Sequence, residues 1–159
     1  MKLYNKYSDY LKSKYGEKVY KLPVNLPCTC PNRDGTLGYG GCTFCADAGT
    51  GFEMLDSSLS VKEQLIRNMA YIKKKYKAEK FIAYFQNYTN TYMETERFKN
   101  YINDALMDDI VEIAVSTRPD CISDEKLKFL YEIKEFQNVN ITIELGLQTA
   151  NYHTLQAIN

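Results

Sequence analysis

The sequence predicts an α/β protein with a parallel sheet, and three observations lead there. Four short apolar runs alternate with stretches of helical periodicity, the pattern of right-handed βαβ units. Each run ends in a polar cluster, and in parallel sheets and barrels the functional groups gather at the carboxyl ends of the strands. The composition, 45% hydrophobic and 25% charged over 159 residues, is that of one ordinary soluble domain, so residues 1–159 are expected to form a single unit.

Residues 1–21 hold six lysines, two acids and five tyrosines, with Tyr4, Tyr7, Leu11 and Tyr15 at helical spacing. This predicts a helical segment over 1–18 that docks by its apolar stripe, or one that grips RNA with lysine on phosphate and tyrosine on base. A first strand at 19–25 (VYKLPVN) runs into CTCPNRDGTLGYGGCTFC, residues 28–45. Four of the five cysteines lie in that stretch, and six of the eight glycines fall from Gly35 to Gly51, as expected of backbone wrapped closely around a bulky group.

Ser60 and Glu63 then have capping-box spacing, and Val61, Leu65, Met69, Ile72 and Tyr76 share one helical face. Lys73, Lys74 and Lys75 near its end suit the helix dipole and are expected in solvent. A second strand, KFIAYF at 80–85, leads through the polar turn QNYTNT to a helix burying Phe98, Ile102, Ala105 and Leu106. The third strand, 110–116, ends in TRPDC. Ser123 caps the next helix, with Leu127, Leu130 and Tyr131 expected to face inward. A fourth strand, 140–145, ends in ELGLQT, and a last helix begins near Asn151.

No apolar run approaches membrane-spanning length, and the start is polar and aromatic where a secretory signal is continuously apolar. The protein is therefore expected in the cytoplasm, with no membrane partner. In that reducing compartment clustered cysteines read as metal ligands or reactive groups before disulfides. A formal net charge of zero argues against a globally basic nucleic-acid binder.

Three readings compete for Cys28, Cys30, Cys42 and Cys45. A structural zinc site uses all four, and the Cys42/Cys45 pair is a familiar half-site, but Cys28 and Cys30 stand one residue apart, closer than zinc knuckles take. A zinc-stabilised RNA-binding module without catalysis is the corresponding function. A redox Cys-x-x-Cys pair opens a helix directly after a strand, whereas this one follows a long glycine-rich loop. The third reading is an iron-sulfur cluster held by three thiolates, Cys30, Cys42 and Cys45, with one iron open and Cys28 as a bystander.

CPNRDGTLGYGGCTFC, with Cys30, Cys42 and Cys45 spaced C-x11-C-x2-C, resembles the cluster motif of a radical S-adenosylmethionine (SAM) family related to the elongator-type catalytic subunits that modify tRNA. YFQNYTNTY (84–92), STRPDC (116–121) and ELGLQT (144–149) are similar to later segments of that family, in the same order, so the resemblance covers residues 4–159. It implies a 4Fe-4S cluster, SAM bound at its open iron, and an electron donor of flavodoxin or ferredoxin type. The implied fold is a partial (β/α) barrel of six strands with outer helices. This chain holds four and is expected to be the N-terminal part of a longer protein. A tRNA wobble uridine is the implied substrate.

By the same resemblance Phe44 lies against the adenine, its alternative being a loop anchor in the core. Gln86, Asn87, Thr89 and Asn90 face the methionine amino group, the alternative being a turn whose side chains satisfy their own backbone, and Arg118 pairs with the SAM carboxylate, the alternative being a surface salt bridge. Glu144 is a carboxylate in the otherwise apolar ITIELGL strand, expensive to bury without a partner, and is expected to hold the ribose hydroxyls, with Gln148 beside it. Cys121 is expected to be a small buried filler and His153 structural.

Overall fold

The computed structural model describes residues 3–46 and 54–158. Gly49 and Gly51 of the glycine-rich stretch lie outside the described residues. Four strands, β1 (Val19–Val24), β2 (Lys80–Phe85), β3 (Ile110–Thr117) and β4 (Asn140–Leu145), form one parallel sheet in the order β1-β2-β3-β4. Each strand therefore lies beside its successor. Every connection returns to the neighbouring position, and all the carboxyl ends emerge at the same edge.

The helices α2 (Val61–Tyr76), α3 (Thr95–Asp104) and α4 (Asp124–Phe136) all cover one face. Strand side chains alternate with period two, so Phe81, Ala83 and Phe85 of β2 turn toward these helices while Ile82 and Tyr84 turn away. The large core holds Leu22, Leu65, Phe98, Ile102, Ile113 and Leu130, all at most 2% exposed. The opposite face is covered by α1 (Tyr7–Tyr15), which contributes one buried apolar residue, Leu11. A short helix α5 (Tyr152–Ile158) closes the described chain.

Local chemistry accounts for the boundaries. The capping box at α2 is made in both directions: Ser60 Oγ accepts from the Glu63 amide at 3.3 Å, and Glu63 Oε2 accepts from the Ser60 amide at 3.0 Å. Ser123 caps α4 through the Lys126 amide. The stripe of α4 differs from expectation, because Leu127 and Tyr131 are exposed and Lys126, Leu130 and Ile133 are buried. Leu130 belongs to both stripes. At 3.6 residues per turn the inward face lies on the 126/133 side of it, where the aliphatic stem of Lys126 packs and Phe129 meets the Phe98 ring edge-on. Lys73 is not simply solvated either, since it pairs with Asp109 at 2.6 Å.

The stripe expected to dock the N-terminal helix does so in its second half only. Leu11 is buried and Tyr15 packs beside it, whereas Tyr4 and Tyr7 are exposed, and Glu112 of β3, 3% exposed on the inner face of the sheet, the one α1 covers, adds a polar anchor. Glu112 accepts from Lys14 Nζ at 2.8 Å, from Thr142 Oγ1 at 2.8 Å and from the Tyr15 hydroxyl. Burial pushes the Glu112 carboxyl up, and these three donors more than reverse that, leaving it below the usual range. No helix among the described residues is long and apolar enough to cross a membrane.

Candidate functional site

The cysteine loop folds back on itself after Cys30. The Cys30 carbonyl accepts from the amides of Arg33 and Asp34, and the Pro31 carbonyl from those of Leu37 and Gly38, so the glycine-rich stretch forms a tight hairpin with a bridge between Asp34 and Tyr39. Gly41 has φ +85, and a Cβ there would stand 2.8 Å from Arg33 Nε, so the turn into Cys42 requires glycine. Cys42 and Cys45 are joined by a turn in which the Cys45 amide donates to the Cys42 carbonyl at 2.9 Å. Arg33 clasps its far end, donating to the carbonyls of Cys45 and Ala46, with its guanidinium over the Tyr88 ring.

This arrangement separates the four thiols. Cys30, Cys42 and Cys45 line a cavity of about 630 Å³, the size of a small-molecule site. Cys28 does not; it packs against the main core, its thiol donating to the Asn87 carbonyl at 3.5 Å, and burial pushes that thiol up to about 11. All five cysteines are free thiols, and among the described residues no three His, Cys, Asp or Glu side chains converge on a position for a single metal ion.

The cavity lies at the carboxyl edge of the sheet. Gln86 and Thr89 after β2, Arg118 after β3, and Glu144 and Gln148 at the end of β4 all line it, and Leu147, Leu155 and Ile158 supply an apolar wall. Phe44 lines it too, more than half exposed, so its alternative as a core anchor does not hold. Asn87 and Asn90 do not reach it. Asn90 is fully buried and its Nδ2 donates to the carbonyls of Phe85 and Ser116, each at 2.9 Å, tying the ends of β2 and β3 together. Asn87 donates to Asn25 Oδ1 at 3.0 Å. Both asparagines position the site rather than line it.

Glu144 is only half-buried and yet has three donors. Its Oε1 accepts from Lys21 Nζ at 2.7 Å, and its Oε2 from the Tyr84 hydroxyl at 2.7 Å and Ser116 Oγ at 3.0 Å. Lys21, Tyr84, Ser116 and Glu144 come one from each strand and form a polar row across the inner face. Burial pushes the Glu144 carboxyl up, and the donors bring it below the usual range, so it is a carboxylate at neutral pH. Lys21 also lies 3.9 Å from the Tyr84 ring centroid. The sequence reading missed Lys21, Tyr84 and Ser116. Lys21 carried the clearest signal, a charged residue between Val19 and Pro23 on one strand face, whereas Ser116 shares its face with Glu112 and stood out less.

Arg118 forms a two-pronged pair with Asp120, Nε to Oδ1 at 2.9 Å and Nη2 to Oδ2 at 2.8 Å, and its remaining nitrogen Nη1 stands 4.0 Å from Cys30 Sγ. Gln148 is exposed with φ +65, in the left-handed region. Cys121, half-buried beside Asp120, and His153, exposed on α5 against the edge of Tyr152, are not part of the cavity wall.

Fold and site together define a parallel-sheet α/β protein with a thiol-lined cavity of cofactor size at the carboxyl ends of its strands. The chain is 41% identical over 159 residues to Protein YhcC of Escherichia coli strain K12, covering 99% of this chain and 50% of that protein. It is 39% identical over 163 residues to Uncharacterized protein YtqA of Bacillus subtilis strain 168, covering 99% and 49%. To Uncharacterized protein MJ0486 of Methanocaldococcus jannaschii the identity is 34% over 160 residues, covering 99% and 48%. The chain thus spans about half the length of the curated relatives it matches. No family model matches it, and no solved structure does.

Proposed function

We propose that this chain is the cluster- and SAM-binding part of a radical SAM enzyme, its sheet forming one side of the partial (β/α) barrel of that class. The single observation that carries the proposal is the partition of the cysteines. Cys30, Cys42 and Cys45 share one cavity with residues from the ends of three strands, while Cys28 is turned into the core. A zinc site built from all four thiols needs them around one ion, and the partition counts against it. In a 4Fe-4S cluster each thiolate binds a different iron, so thiols that ring a cavity without converging on a point suit a cubane. The topology supports the barrel: strands in sequential order with three successive connecting helices on one face are singly wound, whereas a doubly wound sheet divides its helices between both faces.

When bound, the cluster and SAM supply one-electron cleavage of SAM to methionine and a 5′-deoxyadenosyl radical. The chain's own residues bind and orient. Phe44 offers a ring for the adenine, Gln86 and Thr89 offer polar groups for the amino end, and Glu144 offers a carboxylate for the ribose hydroxyls. Leu147, Leu155 and Ile158 give that space an apolar side. The electron donor is of flavodoxin or ferredoxin type. The substrate class is tRNA, supported by exposed Tyr4, Tyr7 and Tyr10 set among the lysines of the N-terminal segment, a surface for stacking and phosphate contact.

Anaerobic reconstitution of the chain with iron and sulfide tests the reading, followed by reductant and SAM on the full-length protein with assay for 5′-deoxyadenosine. A brown protein with iron and sulfide in cubane ratio is expected. A colourless protein that retains zinc ends the proposal.

A further inference from the structure

The position of Arg118 gives it a neighbour that the sequence did not assign, the thiol of Cys30. A guanidinium presents five N–H donors in a fixed plane. Asp120 takes two of them along one edge, at 2.9 and 2.8 Å, leaving one N–H on Nη2 and both on Nη1, and Nη1 faces Cys30 Sγ at 4.0 Å. The clamp itself is held in place. Pro119–Cys121 forms a single 3-10 turn in which the Cys121 amide donates to the Arg118 carbonyl at 3.2 Å. The Cys121 carbonyl accepts from Thr91 Oγ1 at 2.6 Å, and Thr91 Oγ1 lies 2.5 Å from Thr117 Oγ1, both threonines being buried. The end of β3 and the turn after β2 therefore fix Asp120, and Asp120 fixes the plane and direction of the guanidinium.

We propose that Arg118, positioned by Asp120, is the cationic donor to the Cys30 thiolate of the cluster, and that it raises the potential at which the cluster accepts its electron. A cation and an N–H donor beside a cluster sulfur stabilise the reduced, more negative state more than the oxidised one, and net charge and hydrogen bonds to sulfur are among the factors that set such potentials. Asp120 lies on the far edge of the guanidinium, so the group nearest the sulfur is the N–H. The inference rests on the radical SAM reading of the same cavity and goes beyond it by giving Arg118 a role toward the cluster sulfur.

Redox titration followed by electron paramagnetic resonance, on reconstituted full-length protein, tests it. Arg118→Met is expected to lower the one-electron reduction equilibrium about tenfold, a midpoint roughly 59 mV more negative, while SAM affinity stays within about twofold of the parent. Arg118→Lys, which keeps the charge without the fork, is expected to recover part of the shift. Should Arg118→Met fail to take up iron, Arg118→Gln carries the same measurement. An unchanged midpoint overturns the inference, whether SAM affinity falls tenfold, which returns Arg118 to the SAM carboxylate, or is also unchanged, which leaves a structural ion pair. If the parent protein takes up no cluster, the radical SAM reading itself fails, a result distinct from either.

Discussion

Replacing Cys28 by alanine separates a three-thiolate site from a four-thiolate one, and the structure fixes what each outcome costs. Cys28 is partly buried against the core, two residues before a thiol that lines the cavity, and it contributes one sulfur atom and one hydrogen bond, 3.5 Å to the Asn87 carbonyl. Deleting a single buried heavy atom costs about 1 kcal/mol, comparable to removing a methyl from a core. For a chain of this size that lowers the melting temperature by roughly 2–4 °C. Iron and sulfide content after anaerobic reconstitution is expected to equal that of the parent. Cys30→Ala, Cys42→Ala and Cys45→Ala are each expected to lose most of the iron while melting near the parent apoprotein, since these thiols line an open cavity rather than the core. A Cys28→Ala protein that folds but holds no more iron than Cys30→Ala refutes the partition on which the functional reading stands.

Three further outcomes follow from the frame of the site. Glu112→Gln keeps the shape but weakens the charged contacts to Lys14 and Tyr15, and about 2–3 kcal/mol of stability is expected to go with them, or roughly 5–10 °C in thermal melting. The carboxyls of Glu112 and Glu144 are held below their ordinary value of 4.5, so their contribution to stability is complete above that pH and is lost as pH falls through the depressed values. Urea titrations below pH 4.5 are expected to show a steeper loss for the parent than for Glu112→Gln. Asn90→Ala removes both donors that join the ends of β2 and β3 in the buried interior, and a loss of about 2–4 kcal/mol is expected in the same titration.

The strands and the alternation of helices were legible because each depends on local pattern: short apolar, β-branched runs, a capping box at Ser60, a serine cap at Ser123. The cavity was legible in outline for a related reason, that residues following parallel strands must meet at one edge. What a linear reading could not resolve was the direction of side chains within those segments. Asn87 and Asn90 sit in the same polar turn as Gln86 and Thr89, yet their Nδ2 groups donate to Asn25 and to backbone carbonyls rather than into the cavity. Leu127 and Tyr131 lost their inward places to Lys126 and Ile133 because a helix with one decisive apolar residue can roll to either side of it. The docking of α1 by Glu112 was hidden because its partners Lys14 and Thr142 stand 98 and 30 residues away in sequence. Such pairings are set by the order of strands in the sheet.

The polar row on the inner face sets a condition on any ligand that Glu144 takes. A carboxylate has about four accepting positions, and Lys21, Tyr84 and Ser116 fill three of them. A vicinal diol brings two hydroxyls, so binding both means that one resident donor gives way, and Ser116, at 3.0 Å the longest of the three, is the one held least closely. Ser116→Ala frees that position without removing charge. It is therefore expected to leave SAM affinity unchanged or to raise it a few-fold, while Glu144→Gln lowers it at least tenfold by removing the charge and replacing one of the two acceptor oxygens with a donating NH2. Lys21→Met is expected to fall between them, because the carboxylate keeps its charge but loses its strongest partner. Equilibrium binding of SAM to the reconstituted protein ranks the three variants. An order in which Ser116→Ala is the most damaging would mean that the hydroxyl, and not the carboxylate, meets the ligand.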